Sequence, residues 1–100
     1  MAQLHVALRE GFAGEEVVVS VDGREVFRDR VTTRLQIGLA SSFDLDVAEG
    51  DRKVAVDIGG SEAGGPRTVP VAGQTWVGVS LIRDRAELDW TVSDEPFGYV

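Results

Sequence analysis

Four arginines separated by even numbers of residues are the side chains of this sequence best suited to bind a ligand. They share one parity along the chain: Arg24, Arg28, Arg30 and Arg34. If the segment is an extended strand, the four guanidinium groups line one outer stripe that suits an anion or a carboxylate-rich partner. Alternatively, they form cross-strand ion pairs with outward acids. Asp29 falls on the inner parity, which predicts a bulge or a turn there.

Trp76 is a second candidate contact residue. If Val77 and Val79 face the core, alternation places Trp76 on the outer face, where an indole ring suits stacking or protein contact. If the parity is the opposite, Trp76 lies in the core. Trp90, which alternates in register with Leu88, is predicted to be a core residue.

The C-terminal stretch DEPFGYV places apolar side chains where chain ends are usually polar. Pro96 ends the last predicted strand, because its nitrogen cannot donate to a ladder. Three roles are open for Phe97, Tyr99 and Val100. They fold back on the protein's own core, they dock into a partner that binds a free carboxylate, or they cross to a second copy and form a dimer.

Residues for catalysis and metal binding are sparse. The chain has no cysteine, and its single histidine, His5, is predicted to lie exposed or at an edge on the first strand. No serine lies in a G-x-S-x-G turn, and the glycine-rich segment GGSEAGGPR lacks the G-K-[ST] of a phosphate loop. Asp44 and Asp46 are predicted to point outward from a strand rather than to converge on calcium. We therefore assign no metal, no cofactor and no catalytic residue.

The composition is that of a single acidic domain spanning residues 1–100. Of its 100 residues 43% are hydrophobic, which is enough for a real core, and the formal net charge is −7. That charge argues against general binding to nucleic acid or to anionic lipid. The sequence shows neither the basic and apolar regions of a signal peptide nor an apolar run of membrane length, so a cytoplasmic location is expected.

Apolar and polar residues alternate with a period of two in almost every segment. Examples are EEVVVSVDG, SFDLDVAEG, RKVAVDIGG and AELDWTVS, with turn signals between them. The Asp22-Gly23 pair is the strongest hairpin signal. About eight short strands, each with one wet face, predict an all-β protein, specifically an antiparallel β-sandwich of immunoglobulin-like or prealbumin-like type.

The stretches VVVSVDGREVFRDRVTT and SFDLDVAEGDRKVAVDI resemble the opening of small prealbumin-like or PEGA-type sandwich modules. Those modules also carry a V-x-V-D-G turn, followed by a strand that ends in an acid-glycine turn and by a V-x-V strand. The resemblance implies an accessory interaction domain.

These observations favour a non-enzymatic protein- or peptide-interaction module. The expected partner is another protein, or a second copy in a homodimer, bound through an exposed sheet edge, the arginine stripe or the C-terminal aromatic residues. No nucleic-acid or membrane partner is expected. One alternative is a carbohydrate-binding module that uses Trp76 and neighbouring carboxylates. The other is a small hydrolase, for which the sequence shows no nucleophile paired with a base.

Overall fold

The structure is a computed structural model, and it describes residues 2–34, 38–62, 65–82 and 87–95. Within these residues the chain forms nine β-strands and no helix, so the predicted all-β class is confirmed. The strands are β1 (Ala2–Leu8), β2 (Ala13–Val21), β3 (Arg24–Thr32), β4 (Ser41–Val47), β5 (Gly50–Ile58), β6 (Ser61–Glu62), β7 (Arg67–Val71), β8 (Gln74–Ile82) and β9 (Glu87–Ser93). The described part of the chain contains no helix long and apolar enough to span a membrane.

The strands form two sheets. Sheet A has the order β4-β1-β8-β9. Sheet B has the order β3-β2-β5, and β5 pairs on its other side with β6 and β7. In the described residues every pair is antiparallel except β1 with β8, which run parallel. The prediction of a wholly antiparallel arrangement is wrong at this pair, because alternation indicates which face of a strand is buried but not the direction in which the strand runs.

The core lies between the inner faces of the two sheets. Its largest fully buried side chains come from both sheets: Leu4, Val6, Leu8, Val77 and Val79 from sheet A, and Val17, Val19, Val54, Val56 and Val69 from sheet B. Valine suits these positions because its branched side chain packs well on a pleated surface. Each such burial contributes roughly 1.5–3 kcal/mol before the entropic cost of folding.

The predicted hairpin at Asp22 and Gly23 is confirmed. Both residues have positive φ angles, 51° and 83°, as a two-residue turn between twisted strands requires. The turn is also fastened to β5. The Asp22 N–H donates to the Lys53 carbonyl at 2.7 Å, and the Asp22 carboxylate accepts from the Lys53 N–H at 2.9 Å. The hairpin β2–β3 is thus tied to its neighbour in sheet B.

Candidate functional site

Strand β9 is a free edge of sheet A. Among the described residues it pairs with β8 alone, and its seven residues run opposite β8 without a register shift, from Ser93 beside Trp76 to Glu87 beside Ile82. A regular edge strand presents a row of N–H and C=O groups to which another strand can pair. We call Glu87–Ser93 the β9 edge.

Strands β3 and β7, at the edges of sheet B, carry features that natural proteins use against strand pairing. Strand β3 has an irregular register with β2, with one shift between Val19 and Ser20. Pro70 removes an N–H group from β7. At the margin between β3 and β4, Phe27 stacks on Phe43 with ring centroids 4.7 Å apart and covers part of the inner face.

The inward-facing row of the β9 edge is incompletely covered. Leu88 and Trp90 are half-buried against the core, and Val92 is 41% exposed although it lies opposite the fully buried Val77. Trp90 was predicted to be a core residue, and it contacts the core only at its margin. The Arg67 guanidinium of β7 lies 5.9 Å from the centre of the Trp90 ring, within cation–π range.

An open cavity of about 420 Å³ lies at the same margin, between β7 and the end of β9. Val92 and Ser93 of β9, Thr75 of β8 and Pro70 of β7 are among the residues that line it. The gap between the sheets at this margin therefore exposes apolar surface of the type that a partner covers.

The outer face of sheet A is acidic. Cross-strand pairing places Asp44, Asp46, Glu87 and Asp89 on this face. None of the positions on this face within the described strands is a lysine or an arginine. The calcium-type convergence of these acids is not seen: among the described residues no group of three or more His, Asp or Glu side chains could hold a metal ion.

His5 lies at the centre of this face. Strand β1 is an inner strand, so the prediction of an exposed or edge histidine is wrong, and the His5 side chain is 18% exposed. Its Nδ1 lies 2.6 Å from an Asp44 oxygen and its Nε2 lies 3.0 Å from the Gln74 Oε1. Its ring stacks on Trp76 with centroids 4.7 Å apart and planes 17° apart.

Trp76 is thus an outer-face residue, but it is not a free platform. It is half-buried, with His5 stacked on one face of the indole, and Ser93 is its partner on the β9 side. The ring spacing matches the distance between adjacent strands, as expected for two rings that stand side by side on neighbouring strands. The open side of the indole is therefore the one toward the β9 edge.

The His5 cluster does not have the geometry of a hydrolase. The Asp44–His5 pair corresponds to the acid and the base of a catalytic triad. The second ring nitrogen, which in such a triad faces the nucleophile, bonds the amide of Gln74 instead. Both nitrogens of the imidazole are therefore engaged, one by the Asp44 carboxylate and the other by the Gln74 side chain.

The four arginines do not form one stripe. The register places Arg28 and Arg30 opposite Val18 and Glu16, on the outer face of sheet B. Arg24 lies opposite the buried Val21, on the inner face, because the register shift falls between it and Arg28. Asp29, where a bulge was expected, pairs regularly with Val17. Arg34 lies beyond the strand, in an isolated bridge with Leu39.

The outward arginines are engaged within the protein. Arg28 donates to Glu25 at 2.7 Å and to Glu16 at 3.1 Å, and Arg30 donates to the Gly14 carbonyl at 3.1 Å. The hydrogen bond from Arg28 lowers the pKa of Glu25, and the bond to Glu25 raises the pKa of Arg28. These exposed pairs fit the alternative in which the arginines bind neighbouring acids rather than a partner.

The other predicted contact residues, Phe97, Tyr99 and Val100, lie outside the described residues. Of the predicted contact residues that the structure describes, Arg28 and Arg30 share the outer face of sheet B, whereas Arg24, Arg34 and Trp76 lie elsewhere. The residues that form the β9 edge and the His5 cluster are different ones. The sequence shows their alternation, but not that β1, β4, β8 and β9 are neighbours.

Fold and site define an all-β protein of two packed sheets with one regular, acidic and incompletely covered edge strand. The sequence matches no protein-family model and no curated protein sequence.

Proposed function

We propose that this protein is a non-enzymatic interaction module that binds by strand addition at the β9 edge, and that its partner is a second copy of the same chain. The strongest support is that two properties, a regular backbone ladder and an exposed inward side chain, occur together only at β9 among the described edges. The strand is regular, and its inward row leaves Val92 uncovered. A strand added there would pair its backbone groups and shield this row.

The sequence of β9 is complementary to itself in one antiparallel register. With Trp90 opposite Trp90 of the second copy, Leu88 of each chain lies opposite Val92 of the other on the inner face. On the outer face, Asp89 lies opposite Thr91 and Glu87 lies opposite Ser93. Apolar side chains thus meet apolar ones, and each acid meets a hydroxyl group rather than another acid.

Neighbouring registers are less favourable. Centring the pair on Asp89 places two like charges directly opposite each other, which is destabilising. Shifting the pairing by a single residue would place Leu88 and Trp90 opposite outward residues of the second copy, which mismatches the two faces. The charge pattern therefore disfavours the register centred on Asp89, and the register centred on Trp90 is the one that pairs all seven residues of β9 with the strand of the second copy. The joined sheets A would form one continuous sheet with two-fold symmetry.

We also propose the prealbumin-like type for the fold. In the immunoglobulin arrangement the first, second, fourth and fifth strands share one sheet. Here β1 and β4 lie in sheet A, whereas β2 and β5 lie in sheet B. This difference supports the prealbumin-like alternative, in agreement with the resemblance of the β2–β5 segment.

Sedimentation velocity over a concentration series tests the proposal. The intact chain is expected to dimerise, more strongly as salt rises, because each copy carries a formal charge of −7 that salt screens. Val92→Lys would place an unpaired ammonium in the inner row and should weaken dimerisation about a hundredfold. Thr32→Lys is the matched control, since it makes the same charge change at an exposed position of β3.

A truncation ending at Glu95 separates the β9 edge from the C-terminal residues. A dimer that survives truncation but not Val92→Lys supports the proposal. A dimer that is lost on truncation and kept in Val92→Lys assigns the interface to Phe97, Tyr99 and Val100. An intact chain that stays monomeric throughout the series overturns the second copy as partner.

Carbohydrate binding is a second candidate, favoured by one observation. The indole of Trp76 has its open side toward the small Ser93, with hydroxyl and carboxylate side chains on the same outer face. Titration of a Trp90→Phe variant with cellohexaose or laminarihexaose should then change the fluorescence of Trp76, the remaining tryptophan. Unchanged fluorescence with both sugars would count against this candidate.

A further inference from the structure

A cleft of about 590 Å³ opens between β3 and β4. Strand β4 is the edge strand of sheet A on the side opposite to β9. Val21, Val26, Leu45 and Val47 supply apolar lining, and the same cleft is lined by two arginines, Arg24 and Arg52. We call this the β3–β4 cleft. Its volume is in the range of small-molecule sites, which are mostly apolar with a few placed polar groups.

The register shift of β3 explains why Arg24 lines this cleft. The pairing of β2 with β3 is regular from Val17 to Val19, and it shifts before Ser20, so Val26 is the extra residue on β3. Beyond the shift Arg24 lies opposite the buried Val21, on the face that points between the sheets. Without the shift Arg24 would share the outer face with Arg28.

Two of the three acids that line the cleft are already engaged by other groups. Asp22 accepts from the Lys53 N–H at 2.9 Å and from Arg52 at 3.0 Å, and Glu25 accepts from Arg28. Asp46 also lines the cleft, but it occupies an outer-face position of β4, opposite Gln3.

Donors remain for a ligand. No carboxylate of the described residues lies within ion-pair distance of Arg24, an exposed side chain. Arg52 donates from its two terminal nitrogens to Asp22 and to the Glu49 carbonyl, but its Nε–H is buried without an acceptor in the described part of the chain. A buried donor of this kind marks a place where a ligand or a water is expected.

We propose that the β3–β4 cleft binds a small amphipathic carboxylate. The apolar body of the ligand lies on the valine and leucine side chains, and its carboxylate accepts hydrogen bonds from the Arg24 guanidinium, which matches a carboxylate in planar, bidentate geometry. The site is separate from the β9 edge and does not depend on dimerisation.

The rival explanation is that Arg24 is an inward-pointing charge that keeps β3 from pairing with another strand. That explanation predicts no ligand selectivity in the cleft. It also predicts that removing the charge makes the protein self-associate through β3.

The test is a methyl and amide NMR titration of the full chain with three probes of equal chain length: octanoate, 1-octanol and octylammonium. Octanoate is expected to shift the resonances of Val21, Val26, Leu45 and Val47, and to bind about tenfold more tightly than octanol, as a charge-assisted hydrogen bond implies. Arg24→Gln should abolish that preference. Arg34→Gln, which removes an exposed arginine outside the cleft, should preserve it.

The results distinguish a carboxylate site in the β3–β4 cleft from an edge-protecting role of Arg24. Equal binding of octanoate and octanol, or shifts scattered outside the cleft, overturns the carboxylate site. The comparison of the three probes on the unaltered chain does not depend on any variant folding. Self-association of Arg24→Gln with unchanged octanoate binding overturns it in favour of the edge-protecting role.

Discussion

The edge strands β3 and β9 both alternate apolar and charged residues, but they differ in register, cover and charge. Strand β3 is bulged at Val26, and its inward-facing Phe27 is covered by the stack on Phe43. Strand β9 is regular, and its margin leaves Val92 exposed. Part of the charge of β3 is paired within the protein, as in Arg28 with Glu25, whereas β9 carries two acids on the acidic outer face of sheet A.

Alternation alone therefore does not decide whether an edge strand is open to pairing with another chain. What distinguishes the two edges is whether the inward row is covered from the other sheet and whether the backbone ladder is continuous. At β3 the ladder is interrupted by the bulge, and Phe27 is covered by Phe43. At β9 the ladder is continuous and Val92 is exposed, and this is the physical basis for placing the interface there.

The largest change in stability is expected from removing the aromatic stack between β3 and β4. Phe43→Ala removes one ring of the Phe27 stack and should lower the free energy of unfolding by about 2–3 kcal/mol, below the full cost at a buried site because Phe43 is half-buried. Urea denaturation measures the change. Phe43→Leu, which keeps apolar volume, should cost clearly less, and an equal loss in both variants would mean that ring stacking is unimportant.

The next largest effect is expected in hydrogen exchange, where the amides of β3 and β9 should respond differently to protein concentration. As protein concentration rises, exchange of the β9 amides is expected to slow several-fold, because pairing with a second copy protects them. The β3 amides should not respond. Mass spectrometry of peptic peptides covering each strand measures both in one sample. Slowing at β3 rather than at β9 would reverse the assignment of the interface.

The charge pairs of β3 predict a smaller, pH-dependent effect. The hydrogen bond from Arg28 lowers the pKa of Glu25 below its ordinary value of 4.5, so the ionised carboxylate stabilises the folded state at neutral pH. That contribution is lost as pH falls through the lowered folded value. Glu25→Gln should therefore lower Tm at neutral pH, and the difference should vanish in acid.

The matched control for this pH effect is Arg28→Gln. In an Arg28→Gln background the substitution Glu25→Gln should produce little change in Tm at any pH, since the partner that lowers the pKa is gone. A pH-dependent difference that persists there would assign it to another group.

The smallest effect is expected at the open margin. Val92→Thr keeps the shape of the side chain, and Val92 is already 41% exposed. The free energy of unfolding of the monomer should therefore fall by less than about 0.5 kcal/mol. Urea denaturation at a concentration low enough to exclude dimers measures it. A larger loss would show that Val92 is a core residue rather than an uncovered one.

The sequence predicts the features of this fold that depend on local chemistry. Alternation gives the strands and their buried faces, and the Asp22-Gly23 pair gives its hairpin because only a few residue types adopt two successive positive φ angles. For Trp76 the sequence leaves two parities open, and it is the structure that places Val77 and Val79 inward and Trp76 outward.

Features that depend on non-local pairing are not predictable in this way. His5 bonds Asp44 and Gln74 because β1 lies between β4 and β8, and nothing in the local pattern around His5 reports those neighbours. The position of the bulge was likewise misplaced at Asp29. One extra residue at Val26 reverses the face of Arg24, and the alternation of β3 accommodates a break at either place.

The parallel pairing of β1 with β8 determines the order in which the two sheets can assemble during synthesis. Gln3 pairs with Gln74, so β1 leaves the ribosome well before β8, and the central ladder of sheet A cannot close until β8 has been made. The hairpin of β2 with β3 and the pairing of β5 with β7 join segments close in sequence, and they can form earlier. Sheet B is therefore expected to serve as the template on which sheet A is assembled after synthesis, and a nascent chain stalled before β8 would leave the inner faces of β1 and β4 without a completed sheet.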